Sequence, residues 1–470
     1  MINNNKQFVF SDTETTGTKP IDFVQIIQSA SILTDRDFNN LDTHESSCRP
    51  LPWVVPSLGA YLVHKKVATL DCQKSHYHMM QSIHDTWSEW SKNNNSIFVT
   101  YNGHKFDEEL YRRQFFWNLL DPFLTNTNGN GRLDLLMLVR LISQLYPEKI
   151  DFEISTYGYP VCKLESVIQR IGVDSTNAHD ALADCIFMVK LSEFIQKEFP
   201  DLFNEFLQQA TKTEFANYLQ TNEVIGYRYQ PFARYWTYPL TCIGINPINN
   251  SQAICIDLNY PVDEVMQLNH GEMMEYLQKP NSESPFKIVP INKSQGIANA
   301  EKHNFAFDED IKTLKSKARK YRESSAWVNE VLQICCNLDP KEWPQKHYVE
   351  ETIYEKFFSN HDKQLFQRFH NASTYEEKFK LIETFEDLRA KEFGYRILFQ
   401  LDPSKSLQLK NHFAELHQER WQVSGLWFSG SDLQEELNEC LPVNGEQVTI
   451  KEALNNYLGT HMGIKRNVVI

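Results

Sequence analysis

The stretch FVFSDTETTG, Phe8 to Gly17, narrows the fold of this chain more than any other. A short apolar run leads directly into Asp12 and Glu14. In a strand, alternate side chains share a face, so both carboxylates project together from one strand end. Like charges held that close need a reason, and a bound cation is the commonest. A second apolar run, SIFVTYNG, is again a strand, ending in an Asn-Gly turn signal. Helical patterns follow at FDEELYRRQFFWNLL, RLDLLMLVRLISQLY and AHDALADCIFMVKLSEFIQKEF, the last closed by Pro200. Residues 1–199 therefore read as an α/β domain.

At 470 residues the chain exceeds one ordinary domain. From 200 to 345 short strand-like pieces such as VIGYRYQPFARYWTYPLTCIGINP and AICIDLN, separated by turn residues, indicate a mostly β domain. From 346 to 470 the pattern is helical; in EKFKLIETFEDLRAKEF, Phe379, Ile382, Phe385 and Leu388 fall at helical spacing, with Leu381 widening the stripe. No 18-residue apolar run and no signal-peptide architecture is present. Nine cysteines without a C-x-x-C read as reduced thiols, not as a disulfide framework or zinc site. The expectation is a soluble, cytoplasmic protein. A formal charge of −14 argues against generic nucleic-acid binding but not against a basic groove. The run KTLKSKARKYR, Lys312 to Arg322, holds six basic residues and no acid. It reads as a solvated helix face or, alternatively, as a phosphate-contacting or partner-docking ridge.

D-x-E alone is weak, because Asp107-Glu108-Glu109 and Asp151-Phe152-Glu153 repeat it. Asp12 and Glu14 differ in ending an apolar strand, followed at once by Thr15, Thr16 and Gly17 as a turn that exposes them. Sites of α/β sheets commonly lie at the carboxyl ends of strands. In VTYNGHKFDEEL, Asp107 falls in the first turn of a helix, where an acid is also simply favourable. In NAHDALADC, His179 and Asp184 lie five residues apart, about 140° around a helix, so Asp184 belongs on the helix and His179 just before it. His303 to Asp308 repeats that spacing, and a His at a helix start is often only a surface residue. Jointly and in this order the signals are strong. Asp12, Glu14, Asp107 and Asp184, without a His or Cys cluster, imply oxygen ligands and hence Mg²⁺ or Mn²⁺. Four acids suit two ions about 3.5–4 Å apart that clamp a phosphodiester. His179 then fits a general base acting on water. The residues point to metal-dependent phosphodiester hydrolysis.

At these positions the chain resembles the DEDD exonucleases with a histidine, the DEDDh branch of the ribonuclease H-like fold. Asp12 and Glu14 match the first motif, Asp107 the second, and His179 with Asp184 the third. YNGHKFDEELYRRQFF, RLDLLMLVR, NAHDALAD, VPINKSQGIANA and IYEKFFSNHDKQ are similar to the family's three-domain bacterial members, over nearly the whole chain. The resemblance implies an α/β ribonuclease H-like exonuclease domain (1–199), an SH3-like β domain with a linking helix (200–345) and an all-α C-terminal domain (346–470). It implies a 3′→5′ exonuclease that degrades single-stranded DNA to 5′-mononucleotides in repair or recombination. Two Mg²⁺ ions per site are implied, with Mn²⁺ able to substitute. A channel around the strand would carry basic and aromatic side chains. By position, Glu14, Arg112, Phe123, Arg140 and Lys163 would contact the strand from the first domain, and Lys212 and Lys293 from the second. The implied partners are single-stranded DNA and the acidic C-terminal tail of single-stranded DNA-binding protein, for which the 312–322 run is one docking place. A channel closed by one chain implies a monomer without membrane contact.

Two positions depart from the family pattern. Where members have Thr-Gly after an apolar pair near the substrate's 3′ end, this chain reads LVHKKV, Leu62 to Val67, with His64 and Lys65 at the terminal-nucleotide pocket. Lys163 stands where better-known members carry Arg, which keeps the charge but loses the bidentate fork. Two other readings stay open: an RNA-directed member of the branch, which would treat a 2′-hydroxyl differently, and a strand-binding protein whose nuclease site has decayed. Retention of all five site residues speaks against the second.

Overall fold

The computed structural model describes residues 6–92, 95–176, 179–230, 234–338, 344–405 and 409–463. Phe8 and Phe10 point to one side of β1 (Gln7–Thr15) and Val9 to the other, and each side has its own core. β1 therefore lies in the middle of a sheet. It pairs antiparallel with β2 (Ile26–Thr34), which pairs antiparallel with the polar edge strand β3 (Asn40–Ser47). Next come α1 (Leu58–His64), α2 (His76–Ser91) and β4 (Ser96–Thr100), which runs parallel to β1. After α3 (Asp107–Trp117), β5 (Gly131–Asp134) adds in parallel beside β4, completing the order β3-β2-β1-β4-β5. α4 (Leu135–Leu145), α5 (Leu164–Arg170), α6 (Ala181–Glu198) and α7 (Pro200–Leu207) follow. α2 and α3 cover the Val9 face, while α4 to α7 cover the Phe10 face.

Two local expectations change here. RLDLLMLVRLISQLY is not all helix: Arg132 to Asp134 belong to β5, and the Asp134 carboxylate accepts the Leu136 N–H at 3.1 Å to start α4. Pro200 does end α6, but it also opens α7, which buries Leu202, Phe203, Phe206 and Leu207 in the first core. The chain changes core near Ala210, past the boundary expected at 199–200.

α8 (Lys212–Thr221) lays Phe215, Tyr218 and Leu219 under a second sheet. That sheet is antiparallel throughout, in the order β10-β6-β7-β8-β9. Its strands are β6 (Ile225–Tyr229), β7 (Trp236–Ile245), β8 (Gln252–Asp257), β9 (Phe286–Pro290) and β10 (Ile297–Asn299). α9 (Val262–Met266) and α10 (His270–Gln278) lie between β8 and β9; α11 (Ile311–Glu323) and α12 (Ser325–Asn337) follow β10 and fill the other face. The basic run forms α11. Most of its charge is already used: Lys315 pairs with Glu301 and Glu223, Lys317 with Glu309, and Arg319 with Glu223. Arg322 donates to the carbonyls of Leu219, Gln220 and Asn222. The run is mainly a brace between α8 and the second sheet.

The remainder is helical: α13 (Asn360–Asn371), α14 (Tyr375–Thr384), α15 (Leu388–Leu401), α16 (Lys410–Gln422), α17 (Gly430–Glu439) and α18 (Gly445–Met462). The stripe from Phe379 to Leu388 does not lie on one helix. The chain breaks at Phe385–Asp387, where Asp387 caps α15 by accepting the Arg389 N–H at 2.9 Å, and Leu388 is left exposed. These helices share cores with the first sheet's helices. Phe366, Phe369, Ile382 and Phe393 pack on Tyr77, Phe116 and Trp117, and Trp421, Leu433, Leu437 and Leu454 pack on Ile27, Leu58 and Tyr61. Glu436 of α17 caps α1, accepting the N–H groups of Leu58 at 2.6 Å and Gly59 at 3.3 Å. Among the described residues, no helix is long and apolar enough to cross a membrane.

Candidate active site

β1 pairs with β4 only as far as Phe10, whereas its ladder with β2 continues to Thr15. The last residues of β1 thus have a neighbour on one side only, and Asp12 and Glu14 project from the same face as Phe8 and Phe10. Thr15 remains in the strand, so the expected turn begins at Thr16. α6 crosses the same end of the sheet, held close by Cys185, whose thiol lies 3.4 Å from the Ala30 carbonyl. Asp184, in the first turn of α6, joins the pair: oxygens of Asp12, Glu14 and Asp184 lie within 4.8 Å of one another.

Asp107 approaches from the other side, at the start of α3, and its carboxylate accepts the Thr13 hydroxyl. The loop feeding α3 is tight. A Cβ at Gly103 would fall 2.5 Å from Thr100 Cβ and 2.9 Å from the Asp107 carboxylate, so only glycine lets Asp107 sit where it does. His179 lies just before α6 with φ +67° and an exposed side chain, as the spacing predicted.

The electrostatics carry one sign. Burial, and then the charges of Asp107, Asp184 and Glu14, push Asp12 well above the usual carboxylate range. Burial and Asp184 raise Glu14 to about 8, although Lys66 works against them. Burial raises Asp107 to about 6 against the Thr13 hydrogen bond, and Asp184 to about 6 against the charge and backbone N–H of His179. A bound cation would offset both the burial and the mutual repulsion of these carboxylates. All the donors are oxygens, so the residues fit the hard divalent ions expected of them.

Asp12 and Asp184 line a cavity of about 430 Å³ together with Arg140, Lys163 and Glu165. It adjoins a second cavity of about 640 Å³, sharing Asn102, Arg140 and Gln230, that runs between the two sheets. Lys293 lines the second cavity, its pKa lowered by burial and by Lys105 and Arg132 nearby. Of the expected strand-contacting residues, Arg140, Lys163 and Lys293 therefore meet along one continuous hollow. Three others lie elsewhere. Arg112 is only 8% exposed, paired with Glu108 at 3.2 Å and Glu109 at 3.4 Å. It supports Phe123 from beneath, 5.5 Å from the ring, and Phe123 joins Tyr354 and Phe357 in an aromatic cluster beside α13. Lys212 starts α8, donates to Asn250 at 2.9 Å, and lines neither cavity.

Sequence reading missed Lys105, Lys66 and the tyrosines of β6. Tyr227 and Tyr229 line the second cavity, and their period-two spacing in GYRYQ was the available signal. The departure at LVHKKV divides three ways. His64 is buried, with its Nε2 3.1 Å from the Thr15 carbonyl, and Lys65 turns outward to Glu446 at 2.7 Å. Lys66 turns inward.

Residues 9–192, which take in nearly all of the first sheet and the helices packed on it up to α6, match the family model described as Exonuclease. The particular likeness of the whole chain is to bacterial exodeoxyribonuclease I. The Haemophilus influenzae enzyme of that name is 26% identical over 379 residues, 76% of this chain and 78% of that one. The Escherichia coli enzyme is 26% identical over 395 residues, 77% and 79% of the two chains. In structure, exonuclease I from Methylocaldum szegediense superposes with a TM-score of 0.78 at 21% identity, covering 97% of this chain and 100% of that one. E. coli exonuclease I, solved with a dA16 oligonucleotide, gives 0.77 at 21% identity with the same coverage.

Proposed function

We propose that this protein is a 3′→5′ exonuclease on single-stranded DNA that releases 5′-mononucleotides. The observation that carries the reading is the convergence of Asp12, Glu14 and Asp184 at the floor of a cavity that continues past Arg140 to Lys293. Asp12, Glu14 and Asp184 would hold divalent ions, with Asp107 beyond Asp12 completing a two-ion set. Bound Mg²⁺ or Mn²⁺ supplies Lewis-acid polarisation of the scissile phosphate and offsets the charge that develops there.

The chain's own residues do the rest. Arg140, Lys163 and Lys293 hold successive phosphates, and Tyr229, half-buried at the wall of the second cavity, offers a ring face to a base, a sequence-tolerant mode of binding. His179, exposed at the lip and tied through its backbone to Asp184, accepts a proton from the attacking water at a ring nitrogen and passes it to solvent. Lys163 is mostly exposed and lies 3.9 Å from Glu165, so it acts as a point charge on phosphate. The second sheet with α8 to α12 serves as the SH3-like wall of the channel, in a protein working as a monomer. The acidic tail of single-stranded DNA-binding protein is a further partner. On the 312–322 run Lys315, Lys317 and Arg319 are in ion pairs and Arg322 donates to backbone carbonyls, so the tail would rely on Lys312 and Lys320.

The test uses 5′-labelled DNA and RNA of one sequence with Mg²⁺ or EDTA, beside Asp12→Asn. The expected result is stepwise loss of DNA from the 3′ end, abolished by EDTA and by the substitution. Preferential loss of RNA would make the protein a ribonuclease. Binding without any hydrolysis would leave only strand binding.

A further inference from the structure

His64 to Lys66, the segment that departs from the family pattern, connects two halves of the site. His64 accepts the Lys66 backbone N–H at Nδ1, at 3.0 Å, so its proton sits on Nε2 and is donated to the Thr15 carbonyl, one residue past Glu14. The Lys66 ammonium pairs with Oδ2 of Asp180. The other oxygen of Asp180 accepts the N–H groups of Leu182 and Ala183, both at 3.2 Å, and so caps α6. A continuous path, Thr15–His64–Lys66–Asp180, thereby joins the strand carrying Asp12 and Glu14 to the helix carrying Asp184. No member of that path is one of the four carboxylates.

His179 needs such a tether. It is non-glycine in the left-handed region, φ +67°, a conformation that persists only where its surroundings hold it. Its side chain is exposed, so packing does not place the ring. Its next neighbour in the chain is Asp180. The adjacent Lys65 provides a contrast: it pairs with Glu446, with both side chains about half exposed, and faces away from Asp180.

We propose that Lys66 is a positioning residue of the cleavage reaction, latching the His179 lead-in against the end of β1 through Asp180. This rests on the nuclease reading above. Lys66 acts through Asp180 and not on the substrate, so its loss affects turnover rather than binding.

The experiment compares wild type, Lys66→Met, Lys66→Arg, Lys65→Met, Asp180→Asn, which keeps a side chain able to cap α6, and the double variant Lys66→Met with Asp180→Asn. Cleavage of labelled single-stranded DNA is read alongside Mn²⁺ binding by electron paramagnetic resonance and amide hydrogen exchange over residues 179–184. Lys66→Met and Asp180→Asn should each lower kcat about tenfold or more with KM within about twofold, the cost of misplacing a catalytic group. The double variant should be no worse than either alone, as for two residues of one pair. Lys66→Arg should recover most of the rate, Lys65→Met should cleave like wild type, and Mn²⁺ binding should persist throughout. Exchange at 179–184 should quicken in Lys66→Met while β1 and β2 stay protected. A raised KM with unchanged kcat would make Lys66 a substrate contact and overturn the proposal. So would unchanged exchange at 179–184. The exchange arm does not need activity, so an inert wild type would fail the nuclease reading and leave the latch to be judged separately.

Discussion

Folded-state values of about 8 for Glu14 and about 6 for Asp107 and Asp184 stand above their ordinary 4.5 and 3.8. At these three groups the native state therefore binds more protons than the unfolded chain between about pH 4 and 8, and their contribution to stability falls as pH rises through that window. Mg²⁺, which offsets these charges, should therefore raise the melting temperature more at pH 8 than at pH 6. Asp184→Asn removes one repelling charge, so it should abolish cleavage yet melt higher than wild type at pH 8 in EDTA. Equal melting of the two proteins would show that the acids do not repel as their surroundings require. His179→Ala should leave Mn²⁺ binding intact and cost about 10²–10⁴ in rate, the range of a general base. Rate measurements at saturating metal decide this, and unchanged turnover would remove His179 from the reaction.

Among elements, β1 and α6 were the most legible, because an apolar strand ending in acids and an amphipathic helix with its acid in the first turn each signal locally. β5 was hidden because it is four residues long and its terminal Asp134 serves both strand and helix. The break before α15 was hidden because helical spacing runs on through it; the local signal was Asp387 ahead of Leu388, a capping residue read as part of the stripe. Arg112 looked available although Glu108 and Glu109 stand at helical spacing before it; what the sequence hides is that packing buries this face of α3, with Glu108 also paired to Arg132 of β5 at 2.8 Å. The loop between β4 and α3 gives a prediction at this scale. Gly103→Ala would press a methyl group onto Thr100 and the Asp107 carboxylate, so cleavage should fall by about tenfold or more, a larger effect than on folding. Activity set beside urea unfolding separates the two, and a fully active variant would show that the loop can yield.

At the scale of the molecule, Glu205 is the knot between the first two cores. It is 3% exposed and accepts from the Tyr218 hydroxyl at 2.7 Å and the Asn299 N–H at 2.9 Å, with Lys302 at 3.2 Å. Burial notwithstanding, His303, the Asn299 N–H and the Tyr218 hydroxyl hold its carboxyl down at about 2. Its contribution is thus present above the ordinary carboxylate value and lost only as pH falls towards 2. Glu205→Ala, which leaves buried donors unpaired, should cost about 3–5 kcal/mol and open the α7–α8 junction to proteases; resistance equal to wild type would argue against it. The cap that Glu436 places on α1 has a consequence for how the chain is made. The residues that become the reaction centre leave the ribosome early, but the acid that finishes α1, and with it the footing of His64 and Lys66, is more than 350 positions behind. A chain interrupted before α17 would hold every catalytic side chain and still lack the brace beneath them. Half-made copies should thus be poor nucleases, the activity arriving only with the finished chain.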